Sequence, residues 1–98
     1  MSDDKILALN PDPDKTGVNV DRVKYEQIKT AMLAALDEEG EIPFKRLSEE
    51  VEARLNSPFK GSVGWYTTTV KLDLEARGLI ERVPGNKNQV VRLKGDYG

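Results

Sequence analysis

The sequence contains neither cysteine nor histidine among its 98 residues. Without thiols or imidazoles, the chain can form no disulfide framework, no thiolate or imidazole zinc site and no Ser–His or Cys–His nucleophile pair. A magnesium site built of carboxylates alone or a lysine-based catalyst stays open, but the acidic residues show no paired spacing that matches a recognisable catalytic scaffold. These absences argue against an enzyme, and we expect neither a cofactor nor a bound metal ion.

Long apolar runs are missing as well, so no segment is predicted to cross a membrane. The first residues, MSDDKILALN, lack the apolar stretch of a signal peptide, and we therefore expect a cytoplasmic location. The stretch NPDPDKTG that begins at Asn10 contains two prolines and a glycine. Such a composition is typical of loops, so residues 1–19 are predicted to form a loop-like amino-terminal arm.

The charges are nearly balanced in number but unevenly distributed along the chain. Fifteen basic and seventeen acidic residues give a net charge of −2. Residues 1–59 carry a net charge of −5, whereas residues 60–98 carry +3. This division predicts a polarised surface, although an ordinary solvated surface remains the alternative. The acidic total disfavours a nucleic-acid ligand, and the basic second part favours one.

Three amphipathic helices are predicted from apolar spacing. The first covers residues 20–39, with Asn19 or Asp21 as its cap and Gly40 as its end. The second follows Pro43, which suits the first turn of a helix. The third begins after Ser62 and extends to Arg77. The apolar residues that recur at spacings of three and four in the first two helices are Tyr25, Ile28, Met32, Leu36, Phe44, Leu47, Val51 and Leu55.

The third helix presents two apolar stripes on a helical wheel. One stripe consists of Val63, Tyr66, Val70 and Leu74. Trp65 and Leu72 lie roughly opposite and predict a contact with the arm or with a second chain. Between the stripes is a small polar face that includes Thr67, Thr68 and Lys71.

The carboxyl-terminal part is predicted to form a β-hairpin. Gly78 ends the third helix in the left-handed conformation, LIERV and QVVRL have the composition of strands, and PGNKN has that of a turn. Residues 95–98 are predicted to be a loose tail. The sequence therefore predicts one α+β domain over residues 20–94, with three helices and a carboxyl-terminal hairpin.

The segment LDLEARGLIERV resembles the junction between recognition helix and wing in small bacterial regulators of the MarR and ArsR type. KYEQIKTAMLAAL together with GWYTTTVKLDLEARGLIERVPG also resembles a family of small stand-alone bacterial proteins of unassigned function. The resemblance covers about residues 20–94 and implies a winged helix-turn-helix fold, in which the carboxyl-terminal hairpin is the wing. The junction is more specific for fold than for function, since a fold does not determine an activity.

By this resemblance, the protein is expected to bind double-stranded DNA as a dimer, as a transcriptional regulator does. The third helix would enter the major groove and present Thr67, Thr68 and Lys71 to it. The wing cations Arg82, Lys87 and Arg92 would contact phosphates. The helix face lacks arginine, the commonest base-reading residue, and this departs from the pattern.

A second hypothesis assigns the same fold to protein–protein interaction without nucleic acid. In this case the stripe of Trp65 and Leu72 is the binding surface, and it is also where a homodimer would form. A single small chain has little besides its amino-terminal arm with which to cover this stripe.

Overall fold

The computed structural model describes residues 5–12, 14–55, 59–85 and 89–94. Within these ranges the chain is an α+β protein with three helices and two small antiparallel sheets. None of the described helices is long and apolar enough to span a membrane. In chain order the elements are β1 (Lys5–Ala8), β2 (Val18–Asp21), α1 (Arg22–Glu39), β3 (Glu41–Pro43), α2 (Phe44–Ala53), α3 (Val63–Ala76), β4 (Ile80–Arg82) and β5 (Val90–Leu93).

Lys5–Ala8 and Val18–Asp21 form a hairpin, and most of it lies in the stretch that was expected to be a loop-like arm. Strands β1 and β2 pair antiparallel, with Ile6 opposite Val20 and Ala8 opposite Val18. Ala8 and Val20 are buried, so this hairpin is packed on the body of the protein. The prolines and glycine that predicted a loop lie between these two short strands.

The carboxyl-terminal strands belong to a three-stranded sheet, in the order β3–β5–β4. Strand β5 pairs antiparallel with both neighbours, so that Val91 lies opposite Ile42 on one side and Arg82 on the other. The predicted hairpin of β4 and β5 is therefore present, but β3 covers one of its edges. The hairpin that forms a sheet by itself is the amino-terminal one.

The helix ends follow the local chemistry predicted from the sequence. The Asp21 side chain accepts hydrogen bonds from the main-chain N–H groups of Val23 and Lys24 and thereby caps α1. Ser62 caps α3 by accepting from the N–H of Trp65. Gly78 follows α3 with a φ of 78°, in the left-handed region predicted for it.

One apolar core joins the helices and both sheets. Tyr25, Ile28, Met32, Leu36, Leu47, Val51, Val70 and Leu74 are buried, as the spacing predicted, and Ile42, Ile80 and Val91 are buried with them. This core fixes α3 against α1 and α2, and it thereby determines which face of α3 is left at the surface.

Candidate interaction groove

Two of the three α3 residues predicted to read DNA are buried. Thr67 has an exposed fraction of 0% and Lys71 of 2%. Thr68, the third, is exposed, and its hydroxyl donates to the carbonyl of Gly64 one turn earlier. The face of α3 that was expected to enter the major groove is therefore largely packed inside the protein.

Lys71 is held in the interior by one carboxylate and one aromatic ring. Its Nζ lies 2.7 Å from Oε2 of Glu75 and 5.0 Å from the centre of the Phe44 ring. A long aliphatic stem can cover apolar surface while its ammonium group keeps a charged partner, and Lys71 does so here. The lysine therefore stabilises the packing of α3 against α2 instead of facing a ligand.

The predicted wing cations also have carboxylate partners. Arg82 is exposed, and its Nε lies 3.4 Å from the same Glu75 carboxylate. Nε of Arg92 lies 2.7 Å from Glu81, and its Nη1 lies 3.7 Å from Glu41. Lys87, the third predicted wing contact, lies outside the described residues. The basic character of this part of the sequence is thus partly neutralised by ion pairs within the chain.

The side of α3 that faces outward carries the second apolar stripe. Half of Trp65 is exposed, and its ring lies edge-on to Tyr66 with the ring centres 5.0 Å apart. Leu72 and Thr69 are half-buried beside it. The structure therefore keeps together the two residues, Trp65 and Leu72, that the sequence analysis assigned to an interface.

A buried carboxylate on α3 fixes the amino-terminal hairpin in place. Asp73, with an exposed fraction of 0%, accepts from the N–H of Leu9 at 2.8 Å and from the hydroxyl of Tyr25. It also accepts from Nε of Arg77 at 2.8 Å, and Nη2 of Arg77 donates to the carbonyl of Leu7 at 3.0 Å. The Asp73–Arg77 pair thus bonds the outer edge of β1 much as a neighbouring strand would.

The pKa shifts in this network have direct physical causes. Burial raises the pKa of the Tyr25 phenol well above its usual value, and its hydrogen bond to Asp73 raises it further. The hydrogen bond to Asp73 also raises the pKa of the Arg77 guanidinium. The phenol therefore remains a neutral donor and the guanidinium a cation, so the network keeps its hydrogen-bonding pattern at neutral pH.

Between the hairpin and α3 lies a groove of about 460 Å³. Val18 shares the inner face of the hairpin with the buried Ala8, yet 43% of Val18 is exposed because it faces this groove. None of the described residues along the groove is charged. They are Ala8, Leu9, Asn10, Thr16, Gly17, Val18, Gly64, Trp65, Thr68, Thr69 and Leu72.

The chemistry available in the groove is that of binding. The apolar floor can bury apolar atoms, and the hydroxyls and the Asn10 amide at the walls can form neutral hydrogen bonds. Among the described residues, no three acidic side chains come together as a metal site would require. The groove therefore suits an uncharged ligand surface.

A second groove, of about 540 Å³, provides a contrast on another face of the protein. It lies beside the first half of α1 and the end of α2, and its walls include Arg22, Glu26 and Arg54. The exposed Val23 also lines it. This groove is similar in size to the one beside α3, which differs in having no charge among its described residues.

The residues that position the site were missed by the sequence analysis. Tyr25 was predicted only as a core residue, and Asp73 and Arg77 were given no role. The one signal that they offered is their spacing of four along a helix, which is typical of an ion pair. Nothing local in the sequence indicates that this pair also binds β1.

Comparison with known proteins identifies a family but no characterised relative. The sequence model of a family described as "Family of unknown function (DUF6958)" matches residues 5–91. No curated protein and no solved structure matches the chain. The matched range includes both the amino-terminal hairpin and the whole of α3, which are the two walls of the groove.

Proposed function

The chain belongs to the DUF6958 family of unknown function, and we propose that it is a protein-interaction module that binds a partner polypeptide in the hairpin–α3 groove. The observation that carries the proposal is the half-exposed Trp65 beside Val18 and Leu72, in a groove without charge among its described residues. A third of the chain's residues are charged, whereas none of the described residues that line the groove is charged.

The partner's chemistry follows from the walls of the groove. Depletion of charge and an exposed tryptophan are features of the central part of protein–protein interfaces. Apolar side chains of the partner would cover Trp65 and Val18, and removing this surface from water would supply most of the binding free energy. The threonine hydroxyls would bond the partner's main chain at the rim. We therefore assign the groove to an uncharged and largely apolar segment.

A winged-helix fold is part of this proposal. It is supported by the element order α1, β3, α2, α3, β4, β5 and by the strand order β3–β5–β4, in which the last hairpin follows α3 directly. The amino-terminal hairpin is then an addition to that fold. Its position against α3 supports a role for α3 in binding protein instead of DNA.

Binding of double-stranded DNA as a dimeric regulator is the second candidate. The same fold supports it, together with the exposed Thr68 and the exposed Arg82 beside the wing turn. It is weakened by the burial of Lys71 and Thr67, because the α3 residues that line the groove, among them Trp65, Thr68 and Leu72, include no cation. Of the predicted phosphate contacts, Arg82 and Arg92 would have to release carboxylate partners to reach a duplex.

One experiment separates the two functions. Peptides that bind the wild-type protein are selected from a random display library. The affinity of each selected peptide is then measured for the wild type, for Trp65→Glu and for Val23→Glu. Val23→Glu is the matched control, because Val23 is an exposed apolar residue that lines the other groove. The proposal expects uncharged, apolar peptides that Trp65→Glu no longer binds and Val23→Glu still binds.

The DNA candidate is tested in parallel with mixed genomic duplexes at about 50 mM salt, where electrostatic attraction is strong. Binding that Arg82→Ala weakens for all sequences, and that Trp65→Glu leaves unchanged, would favour DNA. Peptides that bind the Trp65→Glu protein as well as they bind wild type would overturn the interaction proposal.

A further inference from the structure

Resting on the proposed function, we infer that the partner in the groove is a second copy of this chain. In the dimer, Trp65 of each copy inserts into the groove of the other across a two-fold axis. A second copy is the occupant that the proposed function leaves open, and the dimer can be disproved while the proposed function stands.

One face of the chain carries both the side chain that would insert and the groove that would receive it. A two-fold interface uses the same patch on both copies, so that patch must hold both the inserted group and the recess that receives it. Trp65 lines the groove with half of its surface exposed, and Val18 and Leu72 line the same groove. The patch therefore holds both an exposed aromatic side chain and a groove that can receive one.

The lack of charge along the groove also favours a second copy as the partner. A two-fold axis places identical residues near each other, so a charged patch would meet its own charge in the partner. The hairpin–α3 groove avoids this repulsion, because none of its described lining residues is charged. The other groove lacks this property, because Arg22, Glu26 and Arg54 line it. A chain with a net charge of −2 thus has a neutral surface where two copies can meet.

The groove is already organised. Asp73 and Arg77 bond the outer edge of β1, and β2 packs through the buried Val20. The wall formed by the hairpin therefore does not have to be ordered when a partner arrives, which lowers the entropic cost of association. A preformed groove and a rigid aromatic side chain suit a stable dimer.

The test uses the fact that Trp65 is the only tryptophan in the sequence. Sedimentation equilibrium and Trp65 emission are measured on the full chain from about 1 µM to about 1 mM, the range in which dimers of modest affinity form. We expect a dimer and a blue shift of the emission that appear together as the concentration rises. Val23→Glu should behave as wild type, and Trp65→Glu should be a folded monomer.

A charge exchange at Thr68 makes the test specific for a two-fold contact. Thr68 is exposed, and its hydroxyl bonds only its own helix among the described contacts, so Arg or Glu can replace it without disturbing the core. Thr68→Arg alone and Thr68→Glu alone should each dimerise more weakly than wild type, because like charges meet near the axis. An equimolar mixture of the two variants should associate at least tenfold more tightly than either alone.

The outcomes distinguish this inference from the proposed function. A wild-type protein that stays monomeric throughout, or a dimer that survives Trp65→Glu, overturns the inference. If the monomer still captures display peptides through Trp65, the proposed function stands with a different partner. If it captures none that depend on Trp65, both fail. A mixture of the Thr68 variants that gains no affinity also overturns the two-fold arrangement.

Discussion

Asp73 on α3 and Leu9 at the end of β1 are joined by a hydrogen bond of 2.8 Å, although 64 residues separate them in the sequence. The carboxylate that accepts from Leu9 is fully buried, and the Tyr25 hydroxyl and the Arg77 guanidinium also donate to it. This one side chain thereby couples the amino-terminal hairpin to the helix that forms the other wall of the groove.

Replacing Asp73 by alanine should detach the hairpin and destabilise the whole domain. The change leaves the buried Tyr25 hydroxyl and the part-buried Leu9 N–H without their acceptor, and each such unsatisfied donor costs about 1–3 kcal/mol. Urea unfolding measures the loss of stability, and hydrogen exchange of the Leu9 amide measures the detachment. Tyr25→Phe is the milder comparison, because it removes one donor and leaves the carboxylate with its other partners. Unchanged protection of Leu9 in Asp73→Ala would show that the hairpin is held by packing alone.

Replacing Thr67 by valine should stabilise the protein. The Thr67 hydroxyl is buried, and its oxygen has no hydrogen-bond partner among the described residues. Valine has nearly the same shape without the cost of burying an unsatisfied hydroxyl, so we expect a gain of about 1 kcal/mol in the free energy of unfolding. The exposed Thr68 provides the control, where the same change should stay within about 0.5 kcal/mol. A clear loss of stability in Thr67→Val would mean that the hydroxyl has a partner.

The ion pairs that join α2 to the end of α1 predict a loss of stability in acid. Hydrogen bonds, foremost the one from Arg54, lower the pKa of Glu50 to about 2. A glutamate in an unfolded chain has a pKa of about 4.3. As the pH falls between these values, the unfolded chain takes up the proton before the folded one does. The contribution of Glu50 is therefore complete above about pH 5 and is lost as the pH falls toward about 2.

Urea midpoints measured across this pH range test the role of Glu50. Glu50→Gln should lower the midpoint near neutral pH and flatten its dependence between about pH 5 and about pH 2. Glu52 is an exposed residue of the same helix, and Glu52→Gln serves as the matched control. Equal pH dependence in wild type and Glu50→Gln would show that other carboxylates cause the acid sensitivity.

The parts of the fold that the sequence predicted depend on local chemistry. Asp21 and Ser62 cap helices through their own neighbours in the chain, and Gly78 relieves a conformational strain that lies within a single residue. Apolar spacing along each helix similarly identified the core, because one buried face repeats every three or four residues. Caps, the glycine that ends a helix and apolar spacing can be read from neighbouring residues alone, without knowing which elements pack together.

The parts that the sequence did not predict depend on distant partners. Lys71 looked like a surface cation, and only the approach of Phe44 from α2 and the ion pair with Glu75 make its burial stable. The sequence did not predict the short strands of the amino-terminal hairpin, because the prolines between them indicated a loop. Their position depends on Asp73, which no local pattern connects with Leu9.

Two glycines in the groove should respond in opposite directions to replacement by alanine. A Cβ on Gly17 would lie 2.4 Å from the carbonyl oxygen of Ala8 on the paired strand, which is a main-chain atom and cannot move aside cheaply. Among the described residues, a Cβ on Gly64 would meet only the Ser62 hydroxyl, at 3.9 Å. Gly17→Ala should therefore cost about 1–3 kcal/mol, whereas Gly64→Ala should stabilise α3 by up to about 1 kcal/mol.

The same pair of variants tests whether the hairpin shapes the groove around Trp65. Forcing β2 away from Ala8 moves one wall, so Gly17→Ala should shift the emission of Trp65 and weaken the Trp65-dependent association of two copies. Gly64→Ala leaves the hairpin in place, so the dilute monomer should keep the wild-type emission. Thermal melting, Trp65 emission and sedimentation on the two proteins provide the comparison. If Gly17→Ala is destabilised but its emission and association match those of wild type, the hairpin contributes to stability and not to the binding surface.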